Sequence, residues 1–264
     1  MKITFIGCGN MAKAIIGGLI KGKIAASSDI TATARTEESL KKAEELFGIC
    51  TGKNNAEAVE KADVVILAVK PQMMAGVLEE IKDNLTKDQL IISIAAGRAI
   101  TFFEEILGTD KKIVRVMPNT PAMVSEGMSA WCGNGHVINE DKEIVKKIFS
   151  SFGIEEEVPE KLIDSACCVS GCGPAYVYMF IEALSDAAVA EGMPRKQAYR
   201  FASQTVLGSA KMVLETGKHP GELKDMVTSP GGSTIAGVQK LEEKAFRGTV
   251  IEAIRSASEK SRSL

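Results

Sequence analysis

The chain has 264 residues, of which 45% are hydrophobic and 25% are charged, enough apolar content for one large or two modest domains and too much for a disordered chain. Lysine plus arginine (32) nearly balances aspartate plus glutamate (34), and no dense basic run is present, so no nucleic-acid partner is expected. No continuous apolar run reaches the ~20 residues of a membrane helix, and the N-terminal segment is too short for a signal peptide. The expectation is a cytoplasmic protein with no membrane segment.

Apolar strands and helical periods alternate through the first 160 residues. The predicted strands cover residues 2–6, 30–34, a short segment near 49, 64–69, 90–94, 113–117, 128–132 and 155–158. The predicted helices between them cover residues 10–21, 37–47, 55–60, a segment after Pro71, 102–107 and 142–149. Continuous apolar strands separated by helices are typical of a mostly parallel sheet that is covered on both faces.

The pattern changes after Pro159, where helical periods follow one another without strands. They cover residues 174–191, 195–216, 223–227, 235–242 and 246–256. The sequence therefore predicts an α/β domain over residues 1–160 and an all-α domain over residues 161–264. The helix at 175–190 is apolar around much of its circumference, which suits an interface between two copies of the chain or an internal core.

The cysteines and histidines do not predict a metal site. None of the six cysteines has a paired C-x-x-C spacing, and neither His136 nor His219 has ligand-type neighbours. Cys168 and Cys172 stand one helical turn apart. We interpret them as two small buried thiols on one helix, with a metal or redox pair as the alternative.

The segment FIGCGNMAKAI follows the first predicted strand and opens the first predicted helix. Gly7, Gly9 and Ala12 fit the G-x-G-x-x-G/A pattern, in which the glycines allow a tight turn and a close approach of the pyrophosphate to the helix N-terminus. This pattern in a βαβ unit predicts an N-terminal Rossmann-type doubly wound, mostly parallel sheet that binds a dinucleotide. The cofactor-binding residues predicted here are Ile6, Gly7, Cys8, Gly9, Asn10 and Met11.

The end of the second strand indicates which dinucleotide binds. An NAD site usually has an acidic residue there, whereas this chain has Ala34, Arg35 and Thr36. A cation and hydroxyls suit a 2′-phosphate, and Glu37 and Glu38 suit the first turn of the next helix. The sequence therefore favours NADPH over NADH. The alternative is that Arg35 is an ordinary solvated residue.

Other strand ends face the same cleft, because ligands of open parallel sheets bind beyond the carboxyl ends of the strands. The further cofactor-binding residues predicted are Asn55, Ala68, Val69, Lys70, Pro71, Ala95 and Ala96. Lys70 has the alternative of being merely exposed beside a helix start. Asn119 lies in RVMPNTPA, between two prolines, in a rigid turn that can present polar groups to the cleft.

Five segments, FIGCGNM, AVKPQ, RVMPNTPA, VSGCGPAY and VTSPGGSTIAG, stand in this order over essentially the whole chain. Together they resemble the pyrroline-5-carboxylate reductase family. The resemblance implies NAD(P)H-dependent reduction of the cyclic imine Δ1-pyrroline-5-carboxylate to L-proline, the last step of proline synthesis. It also implies a Rossmann domain followed by a helical dimerisation domain, and therefore a homodimer or a larger homo-oligomer. Cys172 stands where many relatives have serine, which does not put the activity in doubt.

The resemblance assigns the substrate to the segment VTSPGGSTIAG. A Pro-Gly-Gly turn that meets a helix N-terminus offers converging N–H groups to a carboxylate without a side-chain charge. The substrate-binding residues implied are Asn119, Ser229, Gly231, Gly232, Ser233 and Thr234. Thr234 is also the implied catalytic residue, although the proton on the ring nitrogen is handled either by Thr234 or by water. The alternative for this segment is a plain helix start, with Ser229 as the cap and Pro230 as the first helical residue.

Two other functions remain to be distinguished. β-Hydroxyacid dehydrogenases also join a Rossmann domain to a helical one, but they have a catalytic lysine on the helix after a glycine-rich turn, where this chain has Pro174 to Tyr178. A non-catalytic NADP-sensing protein could share the fold, since the fold alone does not give the activity. A degraded substrate loop would indicate such a protein, whereas Gly231, Gly232 and Thr234 are all present.

Overall fold

The computed structural model of the chain describes residues 1–262, and its strands form one eight-stranded sheet. The strands are β1 (Ile3–Ile6), β2 (Ile30–Thr33), β3 (Cys50–Gly52), β4 (Val64–Leu67), β5 (Leu90–Ser93), β6 (Lys112–Met117), β7 (Gly127–Gly133) and β8 (Gly153–Glu157). Their order across the sheet is β3-β2-β1-β4-β5-β6-β7-β8. The order reverses between β1 and β4, which is the point where open α/β sheets bind ligands.

The mostly parallel sheet predicted from the sequence is confirmed. Strands β1 to β6 pair in parallel, and β7 and β8 also pair in parallel with each other. Only β7 against β6 is antiparallel, with Val116 opposite Trp131. The connection between these two strands is too short for the crossover that a parallel pair needs, so the chain turns back beside β6.

Twelve α-helices lie in residues 1–262. They are α1 (Asn10–Lys21), α2 (Glu37–Phe47), α3 (Asn55–Val59), α4 (Met74–Ile81), α5 (Ile100–Leu107), α6 (Asn139–Ser150), α7 (Glu160–Ala166), α8 (Gly173–Ala190), α9 (Arg195–Thr216), α10 (Pro220–Met226), α11 (Ser233–Glu243) and α12 (Phe246–Arg262). The sequence prediction missed α7 and the π-helical turn Cys167–Gly171 that follows it, because their apolar residues show no regular period. It also ended the last helix too early.

Both faces of the sheet are buried. Ile3, Phe5 and Ile66 point to one face and pack with α1 and α6, whereas Ile6 and Leu67 point to the other face and pack with α4 and α5. Strands buried on both sides explain why β1, β4 and β5 are apolar without alternation. This packing holds the carboxyl ends of β1, β2 and β4 beside one another.

The chain divides into two compact units. The first contains Met1–Gly171 and the end of the last helix from Lys260, and the second is Cys172–Glu259. The sequence places the division between the domains at residue 160, and this stays a prediction. In the structure, α7 and the π-helical turn belong to the first compact unit. In the helical unit α8 packs against α9, but only Ser185, Ala198 and Ala202 are buried. This unit therefore leaves most of its apolar side chains exposed in a single chain.

One stretch meets the requirements of a membrane span by length and composition. An 18-residue window within Glu160–Ala190 has a mean hydropathy of 1.3, and 6% of that window is buried. The stretch is not one continuous apolar run, because glycine, serine, proline and four acidic residues interrupt it. A single stretch of this kind is weak evidence for a membrane, since an apolar helix that packs against another protein surface has the same composition.

None of the six cysteines forms a disulfide, and no cluster of histidine, cysteine and carboxylate residues suited to a metal ion occurs in the part of the chain that the structure describes. The placement of Cys168 and Cys172 as two buried thiols on one helix is wrong. Cys168 is buried in the π-helical turn, whereas Cys172 is half-buried and precedes α8.

Candidate functional site

The glycine-rich turn after β1 has the geometry that a dinucleotide site requires. Gly7 has a φ of +100°, and a Cβ added there would lie 2.7 Å from the carbonyl oxygen of Ala68 at the end of β4. Its N–H donates to the carbonyl oxygen of Thr33 at 3.1 Å. Only glycine fits this position, because both the positive φ and the close approach exclude a side chain. The turn thus joins the ends of β1, β2 and β4.

Gly9 leaves open space in front of α1. A Cβ added there would meet no atom within 4 Å, and no side chain caps the helix N-terminus. The first N–H groups of a helix have no intrahelical acceptor, and together with the helix dipole they attract an anion. The open space and the uncapped N–H groups fit the pyrophosphate of a dinucleotide. Asn10 and Met11 are the first two residues of α1.

A cavity of about 410 Å³ extends from this turn along the ends of β2, β3 and β4. The predicted residues that line it are Ile6, Gly7, Cys8, Gly9, Ala34, Arg35, Thr36, Asn55, Ala68, Val69 and Lys70. Thr33, Ser39, Lys53, Met73 and Val77 complete the lining. Within residues 1–262 no carboxylate lines the cavity, so its charged groups are all cations.

The end of the cavity beyond β2 contains the residues suited to a ribose phosphate. Arg35 and Thr36 lie two and three residues after the end of β2, and the hydroxyl of Thr36 donates to that of Ser39 at 2.8 Å. Glu37 and Glu38 lie in the first turn of α2, as the sequence predicted. Lys42 holds the pKa of the Glu38 carboxyl below its usual range through a hydrogen bond and its charge. This carboxylate is therefore compensated within α2.

Asn55 is held in place at the cavity wall by two hydrogen bonds. Its side-chain oxygen accepts from the Thr33 hydroxyl at 2.6 Å, and its side-chain nitrogen donates to Glu80 at 2.9 Å. Asn54, which precedes it, caps α3 by accepting from the N–H of Glu57. These two bonds fix the orientation of the Asn55 side chain at the cavity wall.

Pro71, Ala95 and Ala96 do not line the cavity. Pro71 begins the 3₁₀ turn Pro71–Met73, while Ala95 and Ala96 follow β5. Arg98 connects these two segments, because its guanidinium donates to the carbonyl oxygen of Pro71 at 3.4 Å and lies 4.7 Å from the Phe102 ring centre. The predicted contacts of Pro71, Ala95 and Ala96 with the cofactor stay predictions.

Asn119 has a structural role in this chain. Its side-chain oxygen accepts from the N–H of Met128 at 2.8 Å, and its side-chain nitrogen donates to the carbonyl oxygen of Ser170 at 2.9 Å. The side chain is buried and connects the turn after β6 to β7 and to the π-helical turn. A contact between Asn119 and substrate stays a prediction, and one amide hydrogen and one lone pair of the side-chain oxygen are left to make one.

The segment VTSPGGSTIAG forms a tight turn followed by α11. The N–H of Gly232 donates to the carbonyl oxygen of Ser229 at 3.1 Å, and Gly231 has a φ of +69°. These features match a turn with Pro230 and Gly231 at its centre. The alternative of a helix start capped by Ser229 is wrong, because α11 begins at Ser233 with Gly232 as its N-cap.

The N-terminus of α11 is open to a ligand. No side chain caps it, and both Ser233 and Thr234 are exposed in its first turn. Gly232 is restricted by its surroundings, since a Cβ there would lie 2.5 Å from the Ser229 hydroxyl oxygen. The first N–H groups of α11 therefore have no side-chain partner and lie next to the exposed Thr234, which suits an anion site.

Two thiols of the α/β unit have altered acidity. Burial raises the pKa of Cys8 in the glycine-rich turn, although the charge of Lys13 opposes the shift. Burial, assisted by the charge of Glu160, raises the pKa of Cys132 on β7 to about 11. Burial therefore favours the thiol over the thiolate at both positions, and the thiol is the less nucleophilic form.

Four further residues line the cavity and were not predicted from the sequence, namely Ser39, Lys53, Met73 and Val77. Lys53 follows β3, a three-residue edge strand that was located only approximately near residue 49. Ser39, Met73 and Val77 lie on or before helices whose orientation toward the cavity depends on packing. A signal for Lys53 was present nonetheless, since it is a lysine directly after a strand at the carboxyl edge of the sheet.

The comparisons with known proteins agree with this geometry. Residues 160–264 match the family model for pyrroline-5-carboxylate reductase dimerisation, and residues 2–97 match that for NADP oxidoreductase, coenzyme F420-dependent. Pyrroline-5-carboxylate reductase of Escherichia coli (strain K12) is 51% identical over 263 residues, covering 100% of this chain and 98% of the relative. The enzyme of the same name from Methanosarcina acetivorans is 46% identical, covering 100% and 97%.

Solved structures give the same result. A pyrroline-5-carboxylate reductase from Coxiella burnetii matches with a TM-score of 0.93 and 38% identity, covering 99% of this chain and 97% of that one. Plasmodium falciparum pyrroline carboxylate reductase with NADP bound matches with a TM-score of 0.90 and 38% identity, covering 100% and 97%. With full-length relatives at this identity, the chain belongs to the pyrroline-5-carboxylate reductase family.

Proposed function

We propose that this chain reduces Δ1-pyrroline-5-carboxylate to L-proline with NADPH as the reductant. The observation that carries the proposal is the presence, in one member of this family, of both an uncapped dinucleotide turn at Gly9 and an uncapped Pro-Gly-Gly turn at Gly232. NADPH supplies the hydride when it is bound. The residues of the chain bind the two reactants and orient them.

The nucleotide site of the proposal begins at the N-terminus of α1, where Gly9 and the first N–H groups receive the pyrophosphate. Arg35 and Thr36 bind the 2′-phosphate, and Asn55 contacts the ribose from the cavity wall. Ala68, Val69 and Lys70 line the part of the cavity after β4. The absence of a carboxylate from the described lining supports NADPH over NADH, because an acidic residue there would repel the phosphate.

The substrate site of the proposal is the turn before α11. The N–H groups of Ser233 and Thr234 receive the carboxylate, and Gly231 provides the positive φ that directs them outward. The Thr234 hydroxyl is exposed and lies one residue into the helix, where it can donate to the carboxylate or reach the ring nitrogen. Neither interaction needs a charged side chain.

The chemistry explains why the site has no acid–base pair. The nitrogen of a pyrroline is basic enough to carry a proton in water, and the carbon of the protonated imine is already electrophilic. The chain then has to hold the reactants in a near-attack geometry, which is worth up to roughly 7 to 11 kcal/mol in good intramolecular models. Buried, protonated Cys8 adds no nucleophile at the nucleotide turn.

We also propose that the chain forms a homodimer or a larger homo-oligomer. Several large apolar side chains of the helical unit are more than half exposed in the single chain, among them Tyr178, Met179, Phe201 and Leu214. The match of residues 160–264 to a dimerisation family supports a second copy of the chain as the cover of this surface. Burial against a second copy also accounts for the apolar composition of Glu160–Ala190, so this composition does not require a membrane. A cytoplasmic location stays a prediction.

The test is the purified enzyme's oxidation of NADPH at 340 nm with Δ1-pyrroline-5-carboxylate, with L-proline identified as the product by mass spectrometry. Pantoate, gluconate and hydroxyisobutyrate, assayed with NADP⁺, are the controls for the rival dehydrogenases. Gly232→Asp is the control variant, because its carboxylate repels the substrate while the nucleotide cavity is unchanged. Oxidation that does not depend on the pyrroline, or a product other than L-proline, would contradict the proposed reaction. Equal activity of the Gly232→Asp variant would contradict the proposed substrate site.

A further inference from the structure

Lys53 and Arg35 leave the sheet side by side. Strands β2 and β3 are parallel, with Thr33 opposite Gly52, so Lys53 follows one strand as Ala34 and Arg35 follow the other. Neighbouring strands lie roughly 4.8 Å apart, which brings the backbones of these segments close together. Both side chains line the same end of the 410 Å³ cavity, together with Thr36 and Ser39.

The Lys53 ammonium has one carboxylate partner in the structure. Its Nζ lies 3.3 Å from the Glu37 carboxylate, and both side chains are well exposed, 60% for Lys53 and 86% for Glu37. An exposed pair of this kind contributes little to stability, with a median of about 0 to 1 kcal/mol. Such a pair is easily exchanged when a more highly charged anion arrives beside the lysine.

A dianionic phosphate at the Arg35 end of the cavity would be such an anion. A phosphate monoester carries about −1.5 to −2 charges near pH 7 and has three strong acceptor oxygens, which is more than one guanidinium can satisfy. The hydroxyls of Thr36 and Ser39 bond to each other at 2.8 Å and provide neutral donors only. Lys53 is the second cation that the structure places at this end of the cavity.

We propose that Lys53 is a specificity residue for the 2′-phosphate of NADPH, and that Glu37 holds its ammonium at the cavity edge until the phosphate replaces the carboxylate. The inference rests on the proposed use of NADPH. It extends the phosphate site from the loop after β2 to the end of the edge strand β3. It also makes Glu37 a competitor of the phosphate, so the ion pair sets how strongly the two nicotinamide nucleotides are distinguished.

The experiment measures the Kd of NADP⁺ and of NAD⁺ by isothermal titration calorimetry, without substrate, for the full-length protein. Lys53→Met should weaken NADP⁺ binding about tenfold, as expected for the loss of one charge-assisted contact, and leave NAD⁺ within about twofold. Lys53→Arg should restore discrimination. Lys41→Met is the matched control, because Lys41 lies on α2, has an exposed ion pair with Glu45 and does not line the cavity.

Glu37→Gln tests the competition. It should tighten NADP⁺ binding about threefold and leave NAD⁺ unchanged, because the phosphate no longer displaces a carboxylate from Lys53. Glu38→Gln is its control, since Glu38 also stands in the first turn of α2 but pairs with Lys42. The effect of Lys53→Met should shrink as salt is raised, because the contact is exposed.

Equal changes in the Kd of both nucleotides on Lys53→Met would overturn the inference, because they would show a general charge effect. An unchanged Kd for NADP⁺ would overturn it as well, and so would a wild-type protein that does not distinguish the two nucleotides. These results are separate from the proposed function. A wild type that binds NADP⁺ through Lys53 but does not reduce the pyrroline would refute the reaction and leave this inference standing.

Discussion

The hydroxyl of Thr33 donates a 2.6 Å hydrogen bond to the side-chain oxygen of Asn55, and so connects the end of β2 to the start of α3. Thr33 is almost fully buried, with 1% of its surface exposed, and Asn55 lines the nucleotide cavity. Because the other end of the Asn55 amide is fixed by Glu80, the two bonds together set the orientation of this side chain. If Asn55 contacts the nucleotide as proposed, Thr33 is a positioning residue for that contact.

Thr33→Val should therefore weaken NADP⁺ binding and lower the stability of the protein. The change keeps the shape of the side chain but leaves the Asn55 oxygen without its donor, at a cost of about 1 to 3 kcal/mol. Calorimetric Kd values and urea unfolding measure the two effects. Thr31→Val, on the same strand, is the control and should change neither quantity by much. A Thr33→Val protein with wild-type affinity would show that the orientation of Asn55 does not matter.

Arg35→Asp should reverse the cofactor preference. The substitution removes a phosphate partner and adds a repulsive charge, so kcat/KM for NADPH should fall far more than that for NADH. The effect should be larger than that of a neutral Arg35→Met change. The measurement is the ratio of the two kcat/KM values, and an unchanged ratio would remove Arg35 from the phosphate site.

The nucleotide end of the site could be predicted largely from the sequence because its signals are local. Gly7, Gly9 and Arg35 each lie within three residues of a strand end, and the structure places all three at one cavity. Lys53 was missed because it approaches from an edge strand of three residues, which carries too little pattern to fix its end. Contacts between distant segments require the packed structure.

Asn119 is a second residue whose contacts with distant segments could not be predicted from the sequence. A polar residue between two prolines at a strand end suggests a ligand contact, which stays a prediction, but this pattern does not reveal that the amide joins β7 and the π-helical turn. The π-helical turn itself was not predicted, since its hydrogen bonds depend on packing that no residue pattern encodes. The Pro-Gly-Gly turn was predictable, because Pro230 and Gly231 specify their own backbone angles.

Thr234→Ala should lower kcat with Δ1-pyrroline-5-carboxylate and leave the Kd of NADP⁺ near the wild-type value. One oriented hydroxyl toward substrate contributes roughly 1 to 3 kcal/mol, and the nucleotide cavity does not include Thr234. Thr249→Ala is the control, because the Thr249 hydroxyl bonds to the backbone of Ala245 within the same unit. The measurement is steady-state kinetics with the substrate concentration varied. If both variants match the wild type, Thr234 is not part of the site.

The stability of the protein should fall above pH 9 partly through Cys132. Its thiol has a pKa of about 11 in the folded protein against 9.0 for an ordinary thiol, so only the unfolded chain loses this proton between those values. The contribution is fully present below pH 9 and decreases as the pH rises, by about 1 kcal/mol at pH 10. Urea unfolding from pH 7.5 to 10 should show a smaller decline for Cys132→Ala.

The control for that experiment is Cys50→Ala, which removes a thiol from an exposed position on β3. Its decline with pH should follow that of the wild type. Equal slopes for the wild type and Cys132→Ala would mean that the Cys132 thiol ionises alike in both states. Lysine and tyrosine side chains titrate in the same pH range, so the stability of every variant declines with pH. The contribution of Cys132 is the difference between the slope of the wild type and that of Cys132→Ala.

The exposed apolar surface of the helical unit should be the interface of the oligomer. Met179 on α8 and Leu214 on α9 are 68% and 71% exposed in the single chain, and a second copy that covers them would bury a charge placed at either position. Met179→Glu and Leu214→Glu should therefore dissociate the protein or unfold the helical unit, since an unpaired buried carboxylate is very costly. Light scattering coupled to size-exclusion chromatography measures the mass, and circular dichroism measures the helix content.

Leu46→Glu is the matched control for these variants, because Leu46 is 66% exposed at the end of α2 in the other unit. It should keep the wild-type mass, whereas the helical-unit variants should lose mass, and their thermal midpoint should depend more steeply on protein concentration. A Leu214→Glu protein with the wild-type mass and midpoint would place the interface elsewhere. Because only three residues of the helical unit are buried in the single chain, a stable monomeric wild type would contradict the proposed oligomer most directly.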